Sequence, residues 1–248
     1  MNDDRCSYYP DNSYPLWESS FSGENQFCID MLEDGSLMAA GKGDSAKVFL
    51  PSSNISVWKH NFSGDIQGIA LSPDGSTVYV SEELSSSNKV YSFDIGSNTM
   101  NWELSFADDY YKNGLVLSGN GNYLLFYQYQ NIFILNPDNG SEIDIISNYG
   151  ETITAISNNG EIIAVGDYTG NAQVYEFNSG SNSYIQIWSF HETGGVYSPW
   201  ITSVSVSSDG NTVALGSLIY EDPNNDIYNG KLHLFNTYSG SSIWSFEN

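Results

Sequence analysis

One short turn recurs five times along this chain and restricts its fold more than any other feature. It reads Glu33-Asp34-Gly35, Pro73-Asp74-Gly75, Gly119-Asn120-Gly121, Asn158-Asn159-Gly160 and Ser208-Asp209-Gly210. Asp-Gly and Asn-Gly supply the positive φ of a tight hairpin at little steric cost. The glycines lie 40, 46, 39 and 50 residues apart. A strand-like run follows each turn: Lys47–Leu50, Val90–Asp94, Ile132–Asn136, Val174–Asn178 and Leu232–Asn236. These runs are rich in β-branched and aromatic residues. A further run centres on Trp58, Trp102, Trp188 and Trp244, and the third copy has Ile143-Asp144-Ile145 there instead.

The stretch from Ile66 to Phe106 shows the unit whole, with strands predicted over 66–72, 77–80, 89–95 and 99–106. Four antiparallel strands in about forty residues make one twisted sheet, which cannot cover its own faces. It needs neighbours of its own kind. A period of this length with four strands per unit predicts an all-β propeller of four-stranded antiparallel blades. No long helical segment competes with that reading.

Five blades are predicted, over about 25–64, 66–106, 112–149, 150–192 and 200–246, within a propeller domain spanning 16–248. Residues 1–15 read as a polar tail. Residues 16–23 look like a spare outer strand, since LWESSFSG matches VWKHNFSG at 57–64. Two arrangements follow: a six- to eight-bladed ring whose missing strands lie beyond Asn248, which is favoured, or five closed blades with 16–23 packed irregularly. The fourth-strand tryptophans are expected to pack between sheets.

Three segments resemble known propeller repeats. Gly230–Asn248 looks like the pyrroloquinoline-quinone-type (PQQ-like, quinoprotein) repeat, in which Asp or Asn ends a strand and Gly and Trp follow. Residues 69–95 resemble the YVTN repeat of surface propellers, and 153–177 resemble a WD-repeat (WD40-like) blade without its Gly-His and Trp-Asp dipeptides. Only Asn236, Gly240 and Trp244 match the docking motif of the quinoproteins. The resemblance therefore implies the fold without the dehydrogenase activity.

The chain carries 7 basic and 30 acidic residues, a formal net charge of −23. Such a surface repels phosphate backbones and anionic membranes, so nucleic acid is not an expected partner. No run of 18 apolar residues occurs, so no membrane insertion is expected. No signal peptide is visible at the start, MNDDRCSYYP. The acidic, Lys-poor composition suits an extracellular or cell-surface module. Two cysteines, Cys6 and Cys28, make no disulfide framework, although one bridge between them is open.

No nucleophile elbow, phosphate loop, zinc-binding helix or C-x-x-C motif is present, and no catalytic residue is assigned. No cofactor is expected; calcium is considered only for Asp222, Asn224 and Asp226, which alternate like half a calcium loop but lack its glycine and closing glutamate. In a propeller meander the short first turns share one face with the third-to-fourth-strand turns. The longer connections emerge on the other face, predicted at Glu82–Asn88, Ala107–Asn113, His191–Trp200 and Gly216–Gly230. Those connections carry Tyr110, Tyr111, Tyr197, Trp200, Tyr220 and Tyr228 beside acidic residues. Variable loops on a rigid scaffold carry function, so these six are the binding-face candidates. The expected function is a non-enzymatic interaction module for a protein or glycan ligand. The alternatives are a fragment or relative of a propeller enzyme, such as a PQQ-dependent dehydrogenase, and a lectin-like carbohydrate binder.

Overall fold

The computed structural model describes residues 18–21, 27–107, 113–147, 150, 152–222 and 227–247. They form five four-stranded antiparallel sheets, each an up-and-down meander in sequence order. Blade 1 holds β1 (Cys28–Met31), β2 (Met38–Lys42), β3 (Ser45–Phe49) and β4 (Ser56–Asn61). Blade 2 holds β5 (Asp65–Leu71), β6 (Thr77–Leu84), β7 (Ser87–Asp94) and β8 (Thr99–Ala107). Blade 3 holds β9 (Gly114–Leu117), β10 (Leu124–Gln128), β11 (Asn131–Leu135) and β12 (Glu142–Ser147). Blade 4 holds β13 (Thr152–Ile156), β14 (Ile162–Asp167), β15 (Asn171–Asn178) and β16 (Ser183–His191). Blade 5 holds β17 (Trp200–Val206), β18 (Thr212–Asp222), β19 (Ile227–Asn236) and β20 (Ser242–Glu247).

The recurring first turn is fixed by its own side chains. In blade 2, Ser72 Oγ donates to Asp74 Oδ1 at 2.6 Å and accepts the Thr77 N–H at 2.9 Å. Ser118 with Asn120, Ser157 with Asn159, and Ser207 with Asp209 repeat the pair in blades 3 to 5. Blade 1 has Leu32 in the serine position, and there Asp34 bonds to Ser36 instead, its Oδ1 accepting the Ser36 N–H at 2.8 Å. These bonds all lie within the turn and fix the hairpin without calling on distant contacts.

Packing between sheets supplies the core. Four buried apolar clusters fill the junctions of blades 1 and 2, 2 and 3, 3 and 4, and 4 and 5. Backbone bonds also cross between first turns: Asn120 N–H donates to Asn158 O at 2.8 Å, and Asn158 N–H to Ser208 O at 3.2 Å.

Three of the four tryptophans dock on the following blade. Trp58 is 2% exposed and packs against Phe93, with ring centroids 5.4 Å apart. Trp102 Nε1 donates to Pro137 O at 2.9 Å, and Trp188 Nε1 donates to Thr237 O, the equivalent carbonyl two blades on. Gly140 and Gly240 lie under these indoles at positive φ, where a Cβ would come within 3.1 and 2.9 Å of the ring. In blade 3, where tryptophan is missing, Asp144 Oδ2 accepts the Tyr184 N–H at 2.7 Å and joins the blades by other means. Trp244 departs from expectation. It is 46% exposed, and among the described residues no turn lies against it as Gly140 and Gly240 lie against Trp102 and Trp188.

Two long connections expected from sequence are strands instead. Over Glu82–Asn88, Glu83 pairs with Asn88 and Leu84 with Ser87, a tight hairpin. Over Gly216–Gly230 the strands of blade 5 run on, with Leu218 opposite Gly230 and Tyr220 opposite Tyr228. Cross-strand aromatic pairing extends that ladder past the point where the neighbouring blades turn. Of the expected spare strand, residues 18–21 are described, and they are irregular. They lie against blade 1, where Lys47 Nζ donates to Ser20 O at 2.8 Å and sits 4.2 Å from the Phe21 ring centroid.

Candidate ligand-binding site

The connection from blade 4 to blade 5, residues 192–199, is anchored by a buried carboxylate. Glu192 is 3% exposed. Its Oε2 accepts from Ser217 Oγ at 2.8 Å and lies 2.6 Å from His233 Nε2. Its Oε1 accepts the Thr193 N–H at 3.0 Å and lies 3.6 Å from Lys231 Nζ. Ser217 pairs with Lys231 and Leu215 with His233, so the period of two brings all three partners to one face of the hairpin. A carboxylate taken out of water must be paired and hydrogen-bonded. Burial alone would raise the Glu192 pKa, but hydrogen bonds from Ser217, His233 and Thr193 outweigh it and hold the group below its usual range.

Past this anchor the loop turns back on β18. Val196 N–H donates to Tyr220 O at 2.8 Å. Gly195 permits the approach, with a φ of +73° and a Cβ position only 2.7 Å from Tyr220 O. The next residue, Tyr197, stacks on Tyr220 with centroids 5.6 Å apart. Tyr220 meets Tyr228 across the hairpin at 4.4 Å. Trp200 opens β17 opposite Leu218 and leans on Tyr168 of blade 4 at 5.7 Å. Tyr197, Ser198, Trp200, Leu218, Tyr220 and Tyr228 together line one pocket of about 280 Å³.

Four of the six residues singled out from sequence therefore meet in one place, brought there by three separate segments. Tyr110 and Tyr111 lie outside the described residues, as do Asn224 and Asp226 of the suggested calcium loop. Asp222 ends β18. Among the described residues, no three His, Cys, Asp or Glu side chains converge as metal ligands. Sequence reasoning missed Tyr168, Leu218 and the Glu192 anchor. The aromatic run of β18 could have signalled Leu218, but the bond from Glu192 to His233 spans 41 residues and leaves no local trace.

The faces of the blade 5 sheet explain why the pocket is open. Ile201, Val213, Leu215 and Phe235 point into the junction with blade 4. Trp200, Leu218 and Tyr220 alternate with buried Ile201 and Ile219 and take the opposite face, as do exposed Leu232, Trp244 and Phe246. A larger cleft of about 640 Å³ lies along β1, β5 and β9. Half-buried Asp30 on its wall accepts the Leu71 N–H at 2.7 Å and ties blade 1 to blade 2. Cys28 is a free thiol facing the blade 1–2 core, and burial raises its pKa to about 11. Cys6 lies outside the described residues.

Solved structures share this arrangement of successive meanders. The β-propeller domain of Myceliophteria thermophila Cps50 (Swd1) superposes with a TM-score of 0.67 at 12% identity, over 92% of this chain and 74% of that one. The chain has a propeller-like fold. Hydrazine synthase of Kuenenia stuttgartiensis superposes with a TM-score of 0.66 at 19% identity, over 86% of this chain and 63% of that one. The propeller-like chain thus spans about three-quarters and under two-thirds of these structures' lengths. One of the two is named as an enzyme, so a propeller fold at this identity carries no activity with it. No protein-family model and no curated protein matches the sequence. Among the described residues, no helix is long and apolar enough to cross a membrane.

Proposed function

We propose that this propeller is a non-enzymatic interaction module whose ligand is a protein, held on the aromatic pocket of blade 5. The supporting observation is the convergence of Tyr197, Trp200, Tyr220 and Tyr228 from three segments around one open pocket. Tyrosine and tryptophan concentrate at protein interfaces because each offers a large rigid surface with one polar tip. An extracellular or cell-surface setting belongs to the same proposal, since a strongly acidic surface keeps such a module soluble in salt.

The test compares two double variants on protein and glycan arrays. Tyr197→Ala with Trp200→Ala removes half of the pocket, whereas Asp74→Ala with Asn139→Ala alters the opposite face. Protein ligands that the first pair loses and the second retains are the expected result. Glycan ligands with that same pattern would replace the proposal by the lectin-like reading. Loss with the second pair alone would move the binding face to the other side.

A further inference from the structure

We propose that the blade 5 pocket recognises a cation, namely the lysine or arginine side chain of a basic peptide segment. This inference rests on the binding role just proposed and specifies its ligand. The pocket lining offers four aromatic rings and one aliphatic floor, Leu218. Among the described residues its hydrogen-bonding side chains are the phenols, the indole and the Ser198 hydroxyl. A sugar is read by several oriented acceptors and donors around its hydroxyls, and among the described residues this lining holds no carboxylate and no amide side chain. It holds aromatic faces, and a ring face attracts positive charge through its quadrupole.

Two further observations point the same way. Among the described residues no lysine, arginine or histidine lines the pocket, so none of them places a resident cation over the rings. The chain as a whole carries a net charge of −23, which raises the local concentration of cations and speeds their approach. The rings are also held in place before a ligand arrives. Tyr197 is fixed on Tyr220 by the Val196 bond, and Tyr228 is fixed by its register opposite Tyr220. Rigid rings lose little freedom on binding. The volume of about 280 Å³ admits one long side chain.

The experiment uses the full chain and two short peptides, a Gly/Ser peptide with one central lysine and its twin with norleucine in that place. Affinities are measured by chemical-shift titration at fixed ionic strength. The expected result is about tenfold preference for lysine over norleucine. Trp200→Leu and Tyr228→Leu should each remove most of that preference, whereas Tyr228→Phe, which keeps the ring, should retain it. None of these substitutions alters the net charge, so attraction to the acidic surface at large would be indifferent to them. Should Trp200→Leu not fold, Tyr228→Leu at a 47% exposed position carries the test.

Equal binding of the norleucine peptide, lost in the leucine variants, overturns the cation while leaving the pocket as a protein-binding site. Lysine binding that no pocket variant changes overturns both. A self-associated chain that Trp200→Leu separates, with no lysine preference, shows that the occupant is a second copy and overturns the proposal.

Discussion

His233 Nε2 stands 2.6 Å from Glu192 Oε2, and this contact helps join the loop that carries Tyr197 to the hairpin that carries Tyr220 and Tyr228. Replacing Glu192 by Gln removes the charge from a site where Ser217, Thr193, His233 and Lys231 converge. The expected cost is about 1–3 kcal/mol, since polar groups shaped for a carboxylate are left imperfectly paired. Denaturant unfolding followed by tryptophan fluorescence measures it. A midpoint unchanged from the parent would show the anchor to be idle.

The same carboxylate gives the site an acid limit. Its folded-state pKa lies below the ordinary glutamate value of 4.5, so its stabilising effect is present above about pH 4.5 and is lost as pH falls through the folded value. Near-UV circular dichroism of the blade 5 aromatics should show an acid transition that Glu192→Gln lacks. An identical transition in both proteins would assign it elsewhere.

The docking tryptophans should separate into classes. Trp58→Ala removes a side chain that is 2% exposed and should cost about 3–5 kcal/mol. Trp244→Ala removes one that is 46% exposed, and should cost about 0.5 kcal/mol or less. Parallel chemical denaturation of the two variants decides this. Similar large losses would mean that Trp244 is covered in solution.

Gly195 is the hinge of the pocket loop. Alanine there meets both a φ of +73° and the Tyr220 carbonyl at 2.7 Å, so Gly195→Ala should displace Tyr197 from Tyr220. Gly230, with nothing within 4 Å of its Cβ position, is the matched control. Resonance shifts of Tyr197 and Tyr220 in Gly195→Ala, absent from Gly230→Ala, are the expected outcome.

Cys28 should resist thiol reagents in the native protein. Its pKa of about 11 leaves almost no thiolate at neutral pH, and the thiol faces the blade 1–2 core. Peptide mapping after alkylation should find Cys28 unmodified until denaturant is added. Rapid native labelling would place it at an open surface.

The strands and their first turns were legible in the sequence because their causes are local. Asp-Gly and Asn-Gly, the serine two residues ahead in blades 2 to 5, and β-branched alternation act within a few residues of one another. That is why the repeat could be counted at all. The four pocket aromatics Tyr197, Trp200, Tyr220 and Tyr228 could be singled out as well, because the sequence pattern placed them in the longer predicted connections. Their meeting in one pocket could not be read, because strand register decided it. The ladder of β18 and β19 sets Tyr220 opposite Tyr228, and a buried Glu192 far along the chain sets Tyr197 above them. The same limit explains Trp244. Its local pattern matches that of its counterparts, but burial depends on the neighbouring sheet, and among the described residues none packs over that face of blade 5. Local chemistry fixed the repeating unit, and only tertiary packing decided which copies of one residue became core and which became surface.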